Sequence, residues 1–160
     1  MMATVERTKM NVDWNSWLSL LTDTVQGRGG ADTRQAAIFS LDGTVLASSD
    51  ESVSEDEVQG FMRNLDDAMG APHPVIVAGT RYIPVHREER RVYARQGQTG
   101  ALLIRGQYCI VEAVHHEHQP PQAFVAAIEH FMDKLEIGIA DGTTMSIDEY
   151  ALTKSAVKCC

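Results

Sequence analysis

The pattern of apolar and polar positions divides the chain into helical and extended stretches. VDWNSWLSLLTDTVQG (residues 12–27) has helical spacing: Leu18, Leu21 and Val25 form one apolar line, and Trp14 and Trp17 are neighbours on a helix face. Asp13 is the expected N-cap, and Gly27, Gly29 and Gly30 end the stretch. The Leu18, Leu21 and Val25 line supplies a core face, so the tryptophans are expected to face a partner.

The period then shortens. QAAIFS and TVLASS flank Asp42-Gly43, the signal of a two-residue hairpin turn. Ser54 and Glu57 form a capping box that opens a helix with Val58, Phe61, Met62 and Leu65 on one side, stopped by Gly70 and Pro72. PVIVAGTRYIPVH reads as one long strand or two, and Pro84 within it indicates an edge or a bulge. RRVYARQ returns after REER, and ALLIR and YCIVEAVH make a further hairpin around Gly106-Gln107.

Pro120-Pro121 precede QAFVAAIEHFMDKLEI, where Phe124, Ala127, Ile128, Phe131 and Leu135 form an apolar stripe. A second capping box, Ser146 and Glu149, opens a weaker helix with Ile147, Tyr150, Ala151 and Val157. Hairpin, helix, antiparallel strands and terminal helices define an α+β fold rather than a βαβ one.

Composition narrows the function. The 160 residues suit one domain, with residues 1–10 a disordered extension and residues 11–160 the domain, which carries an extra helical segment within 118–160. A net charge of −8 argues against nucleic acid as the main ligand. No apolar run reaches the ~20 residues that span a bilayer, and MMATVERTK lacks the apolar core of a secretory signal. Cys109 reads as a reduced core residue without a disulfide framework, which fits a cytosolic protein. The terminal Cys159-Cys160 resembles a double-cysteine prenylation end, but a two-residue signal is weak and a frayed tail is the preferred reading.

Candidate chemistry is sparse. His115, His116 and His118 lack further ligands at zinc spacing and read as a loop after a strand. No nucleophile, base and orienting group assemble, and no phosphate-binding or dinucleotide motif occurs, so neither an enzyme nor a cofactor is expected. Arg81, Arg87, Arg90, Arg91, Arg95 and Arg105 take up six of the fourteen basic residues within one strand region. If alternate ones share a sheet face, that face is locally basic and suits an acidic protein surface or a phosphorylated headgroup. Paired exposed aromatics suit a polyproline ligand.

Order and spacing together resemble the profilin family. VDWNSWLSLL is similar to its N-terminal helix, AAIFSLDGTVLASS to its first hairpin, SEDEVQGFMRNLDD to the next helix, and GTRYIPV and TGALLIRGQYCIVEAV to later strands. The resemblance covers about Asn11 to Ile137. It implies a central antiparallel sheet with the N- and C-terminal helices on one side and shorter helices on the other. It also implies a monomeric protein of the cytoplasm and cytoskeleton that binds monomeric actin, promotes its nucleotide exchange, and binds proline-rich proteins such as formins, and phosphoinositides.

By position, the resemblance puts Trp14, Asn15 and Trp17 against polyproline, with Leu46 where the family commonly has tryptophan. His130 and Lys134, or else Tyr150, would form the opposite wall. Arg81, Arg105, His115, Pro120 and Gln122 would lie toward actin, and Arg81, Arg91, Arg95 and Arg105 toward phosphoinositides. Two placements of the terminal helix stay open, residues 122–136 or 146–158. In the second, the first helix is an exposed insertion whose Phe124, Ile128, Phe131 and Leu135 resemble the actin-binding helix of WASP-homology motifs. A roadblock or longin scaffold binding trafficking or motor components is the alternative, but gives the paired tryptophans no role.

Overall fold

The structure is a computed structural model that describes residues 12–25, 36–50, 53–116 and 120–140. Seven strands form one antiparallel sheet: β1 (Ala36–Ser40), β2 (Val45–Ser48), β3 (Val75–Val77), β4 (Thr80–Arg87), β5 (Arg91–Gln96), β6 (Thr99–Arg105) and β7 (Cys109–His115). Their order across the sheet is β2-β1-β7-β6-β5-β4-β3. Helices α1 (Trp14–Val25) and α3 (Pro121–Ala140) cover one face, and α2 (Glu55–Asp66) covers the other. This is the α+β architecture expected from the sequence.

Local chemistry accounts for the boundaries. Asp13 caps α1: its carboxylate accepts the Ser16 amide at 3.2 Å and the Ser16 hydroxyl at 2.7 Å. The capping box of α2 forms as read, with the Glu57 amide donating to Ser54 Oγ at 3.2 Å and the Ser54 amide to Glu57 Oε2 at 3.4 Å. The one-or-two-strand question is settled by Ala78 and Gly79. Both have positive φ, 51° and 86°, which is the twist of a tight hairpin turn between β3 and β4. Pro84 lies where the β4–β5 register shifts, and Val85 is the extra residue of the bulge.

The turn after β1 differs from the expected two residues. The Ser40 amide donates to the Thr44 carbonyl at 2.8 Å and the Gly43 amide to the Ser40 carbonyl at 2.9 Å, so residues 41–43 form a three-residue loop. Gly43 (φ 94°) is required there twice over, because a Cβ would also come within 2.6 Å of Val58 on α2.

Two cores separate across the sheet. Ile38, Leu102, Ile104 and Val111 face α1 and α3. Phe39, Val92, Leu103 and Ile110 face Phe61 and Leu65 of α2. Strands β1, β6 and β7 are covered on both sides, so apart from Thr99 and Arg105 at the ends of β6 they are buried throughout instead of alternating with polar residues.

The buried line on α1 is Trp17, Leu21 and Val25, with Trp14 and Leu18 only half-buried beside it. The expected line ran through Leu18 and left Trp17 outside, so the helix is rotated by about one position. The larger indole removes more apolar area from water, and α3 offers it a ring to pack on.

Helix α3 extends to Ala140 and packs as the terminal helix beside α1. The exposed-insertion placement is overturned. Phe124, Ile128, Phe131 and Leu135 are all at most 5% exposed and belong to the core, so they are not an actin-contacting stripe. The second helical candidate (residues 146–158), with Tyr150, lies outside the described residues, as do residues 1–10, His118 and Cys159-Cys160.

Candidate partner-binding faces

The α1–α3 layer lies over β1, β7 and β6 and leaves the β4–β5 side of the same face open. There Ile83 is 55% exposed and Val85 59%, unusual for large apolar strand residues. Between this open sheet and the first half of α3 runs a cleft of about 490 Å³, lined by His86, Arg91, Tyr93, Pro121, Gln122, Val125, Ala126 and Glu129. Its floor is apolar and its rim charged.

The rim is a chain of ion pairs. Glu129 accepts from Arg90 at 3.1 Å and from Arg91 at 3.0 Å, and Arg91 also reaches Glu88 at 3.4 Å. Glu88 sits 2.6 Å from His86 Nε2, and that hydrogen bond, aided by Arg91, holds its carboxyl below the usual carboxylate range. These groups are substantially exposed, so they orient each other more than they stabilise the fold.

The arginines do not form one patch. Arg81, Arg91 and Arg95 lie on the open face: Arg95 pairs in register with Ile83, two residues from Arg81, and Arg91 is four residues back along β5. Arg105 faces the other way. Its guanidinium donates to Asp66 at 2.5 Å and to the Leu65 and Glu89 carbonyls at 2.9 Å each, clamping the end of α2. Arg87 does the same, donating to the Asp67 and Gly70 carbonyls. Arg105 therefore lies on the opposite face of the sheet from Arg81, Arg91 and Arg95, with which the resemblance groups it for phosphoinositides. Its neighbours there are the last-turn Leu65 carbonyl of α2, where a helix C-terminus favours a cation, and the Glu89 carbonyl of the β4–β5 turn.

The other predicted positions divide clearly. Pro120 and Gln122 are exposed, and Gln122 lines the cleft. His115, expected toward actin, is fully buried behind Tyr93, whose hydroxyl lies 2.6 Å from His115 Nε2. Trp14 is half-buried and Asn15 exposed, and Leu46 of β2 packs against the same core as Trp14. Trp17 is 2% exposed and is not a ligand surface. His130 and Lys134 are exposed on α3. Sequence reading missed Tyr93, Val125, Glu129 and His86 as cleft residues. The alternation Arg91-Tyr93-Arg95 on one strand face was the available signal. Among the described residues, no group of three or more His, Cys, Asp or Glu is placed to hold a metal, and no helix is long and apolar enough to cross a membrane.

A small three-layer domain that leaves Ile83 and Val85 exposed on an open sheet face beside a charged cleft rim presents a surface suited to a protein partner. The profilin family model matches residues 15–137, and the chain belongs to that family. As a profilin it is a regulator of actin polymerisation, with monomeric actin as partner. It is 27% identical over 122 residues to profilin-2 of Acanthamoeba castellanii, covering 75% of this chain and 95% of the relative. The solved profilin of Schizosaccharomyces pombe superposes with a TM-score of 0.61 at 26% identity, covering 77% of this chain and 98% of the other. LokiProfilin1, solved in complex with rabbit actin, shares the fold with a TM-score of 0.55 at 14% identity over 77% of this chain and 96% of its own.

Proposed function

We propose that this chain binds monomeric actin in the cytoplasm and cytoskeleton through the open β4–β5 face and the start of α3. The observation that carries this is the exposure of Ile83 and Val85 beside the cleft, on a sheet whose central strands β1, β6 and β7 are covered on both faces. Apolar residues left bare next to a charged rim gain most from a partner that covers them. Arg81 and Arg95 share that face, so a phosphoinositide headgroup and actin compete for it. The proline-binding surface is the start of α1, with Trp14 as its aromatic and Leu46, His130 and Lys134 as candidate neighbours.

The test is binding of monomeric actin to Ile83→Asp and Val125→Arg, each checked for native circular dichroism. Affinity falls about tenfold or more, equal to ~1.4 kcal/mol or more. Unchanged affinity in both folded variants would show that actin binds elsewhere.

A further inference from the structure

We propose that His115 is a positioning residue for the cleft: its neutral ring, accepting the Tyr93 hydroxyl across Gly100, holds the two walls of the partner face in register. The inference rests on the actin-face reading above and adds a device that regulates it.

The geometry is specific. His115 lies on β7 and Tyr93 on β5, with β6 between them. A side chain on β6 would ordinarily separate them. Position 100 is glycine, and a Cβ there would stand 2.4 Å from His115 Nε2 and 2.6 Å from the Tyr93 hydroxyl oxygen. The missing side chain is what lets the two rings meet at 2.6 Å, with their planes only 9° apart.

The protonation state follows from the partners. His115 Nδ1 lies 2.9 Å from the His116 carbonyl, which can only accept, so Nδ1 carries the hydrogen. Nε2 is then the bare acceptor for the Tyr93 O–H. His115 also meets Phe124 edge to face, with ring centroids 4.7 Å apart. One buried imidazole thus touches the β5 wall through Tyr93 and the α3 wall through Phe124.

A proton on Nε2 would oppose this arrangement. The bond would have to reverse, Nε2–H donating to the Tyr93 oxygen, and the displaced hydroxyl hydrogen would need a new acceptor in a partly buried site, which resets the Tyr93 side of the pair. Among the described residues, the groups bearing on His115 are Tyr93 and Arg95 from β5, Gly100 from β6, Phe124 from α3 and His116 along the chain. None is a carboxylate that would welcome the charge. Burial is the largest cause of a lowered His115 pKa. The charges of Arg95 and His116 act the same way, against the His116 carbonyl.

The test compares wild type with His115→Gln, whose amide oxygen can accept from Tyr93 without titrating. Affinity for monomeric actin is measured for both from pH 7.5 to 5.0 on the same actin, so that actin's own pH dependence cancels in the ratio. Whatever its value at pH 7.5, the ratio of wild-type to variant Kd should rise about threefold or more toward pH 5.0, and Tyr93→Phe should also lose the extra acid dependence. A ratio that stays flat overturns the inference. Separately, NMR of the free wild-type protein should show the Tyr93 ring and Val125 methyl signals shifting with the titration of His115. His115 titrating without them overturns it too. If none of the three proteins binds actin at any pH, the actin-face reading fails, and the coupled NMR titration alone decides the inference.

Discussion

Trp17 of α1 meets Phe131 of α3 edge to face, with ring centroids 6.0 Å apart and planes at 78°. This contact makes the two helices one layer and removes both rings from the surface. Phe131→Ala should leave a cavity under α1 and cost about 3–5 kcal/mol. Urea denaturation followed by circular dichroism measures the loss. The emission of the variant should also shift to the red, because Trp17 gains water. A loss below about 1 kcal/mol would mean that the helices are held mainly elsewhere.

Arg105 makes a contrasting case, because its polar contacts hold α2 rather than a ligand. Its acceptors are the Leu65 carbonyl at the end of α2, the Glu89 carbonyl of the β4–β5 turn and Asp66, so removing the guanidinium leaves both carbonyls short of a donor and unties the helix end from the turn. Arg105→Met should lower stability by about 1–3 kcal/mol while changing actin affinity less than threefold. Calorimetry and an actin-binding titration of the same sample separate the two effects. A large affinity loss without destabilisation would return Arg105 to the partner face.

Much of the fold was legible because local and global signals agree. The Asp13 cap, the Ser54 and Glu57 box and the Pro84 bulge each form from a few neighbouring residues, and the structure shows all three. The rest depends on what lies across the sheet. No spacing rule tells whether Trp17 or Leu18 turns inward, since the Phe131 ring that decides it is more than a hundred residues away in sequence. The arginines show the same limit: strand alternation puts Arg95 and Arg105 on opposite faces only once the β5–β6 register is known. Gly100 reads as an ordinary strand glycine until Tyr93 and His115 are seen to meet above it.

Cys109 gives a pH readout of the core beneath α3. Burial, with a smaller push from Glu136, raises its thiol pKa from 9.0 to about 12. The folded state therefore keeps the thiol neutral where the unfolded chain would ionise. That contribution to stability is complete below pH 9 and is lost as pH climbs toward 12. Native protein at pH 8.5 should leave Cys109 unmodified by iodoacetamide, with modification appearing in urea, as read by peptide mass spectrometry. Rapid native labelling of Cys109 would show that the α1–α3 layer opens readily.

The two tryptophans should separate cleanly by substitution. Trp14 is half-buried at the start of α1 beside exposed Asn15, whereas Trp17 is only 2% exposed. Trp14→Ala removes an aromatic surface while most of the core stays intact, so it should lower stability by about 1–2 kcal/mol and abolish retention on immobilised polyproline. Trp17→Ala empties a core site and should cost about 3–5 kcal/mol. Retention of that variant at a temperature where it remains folded should persist, because its ring does not reach the ligand. Column retention and thermal unfolding, run on both variants, give four readings. If Trp14→Ala is retained as wild type is, the proline surface does not lie at the start of α1. If Trp17→Ala folds but is not retained, the ligand depends on the α1–α3 seam rather than on the ring at its edge.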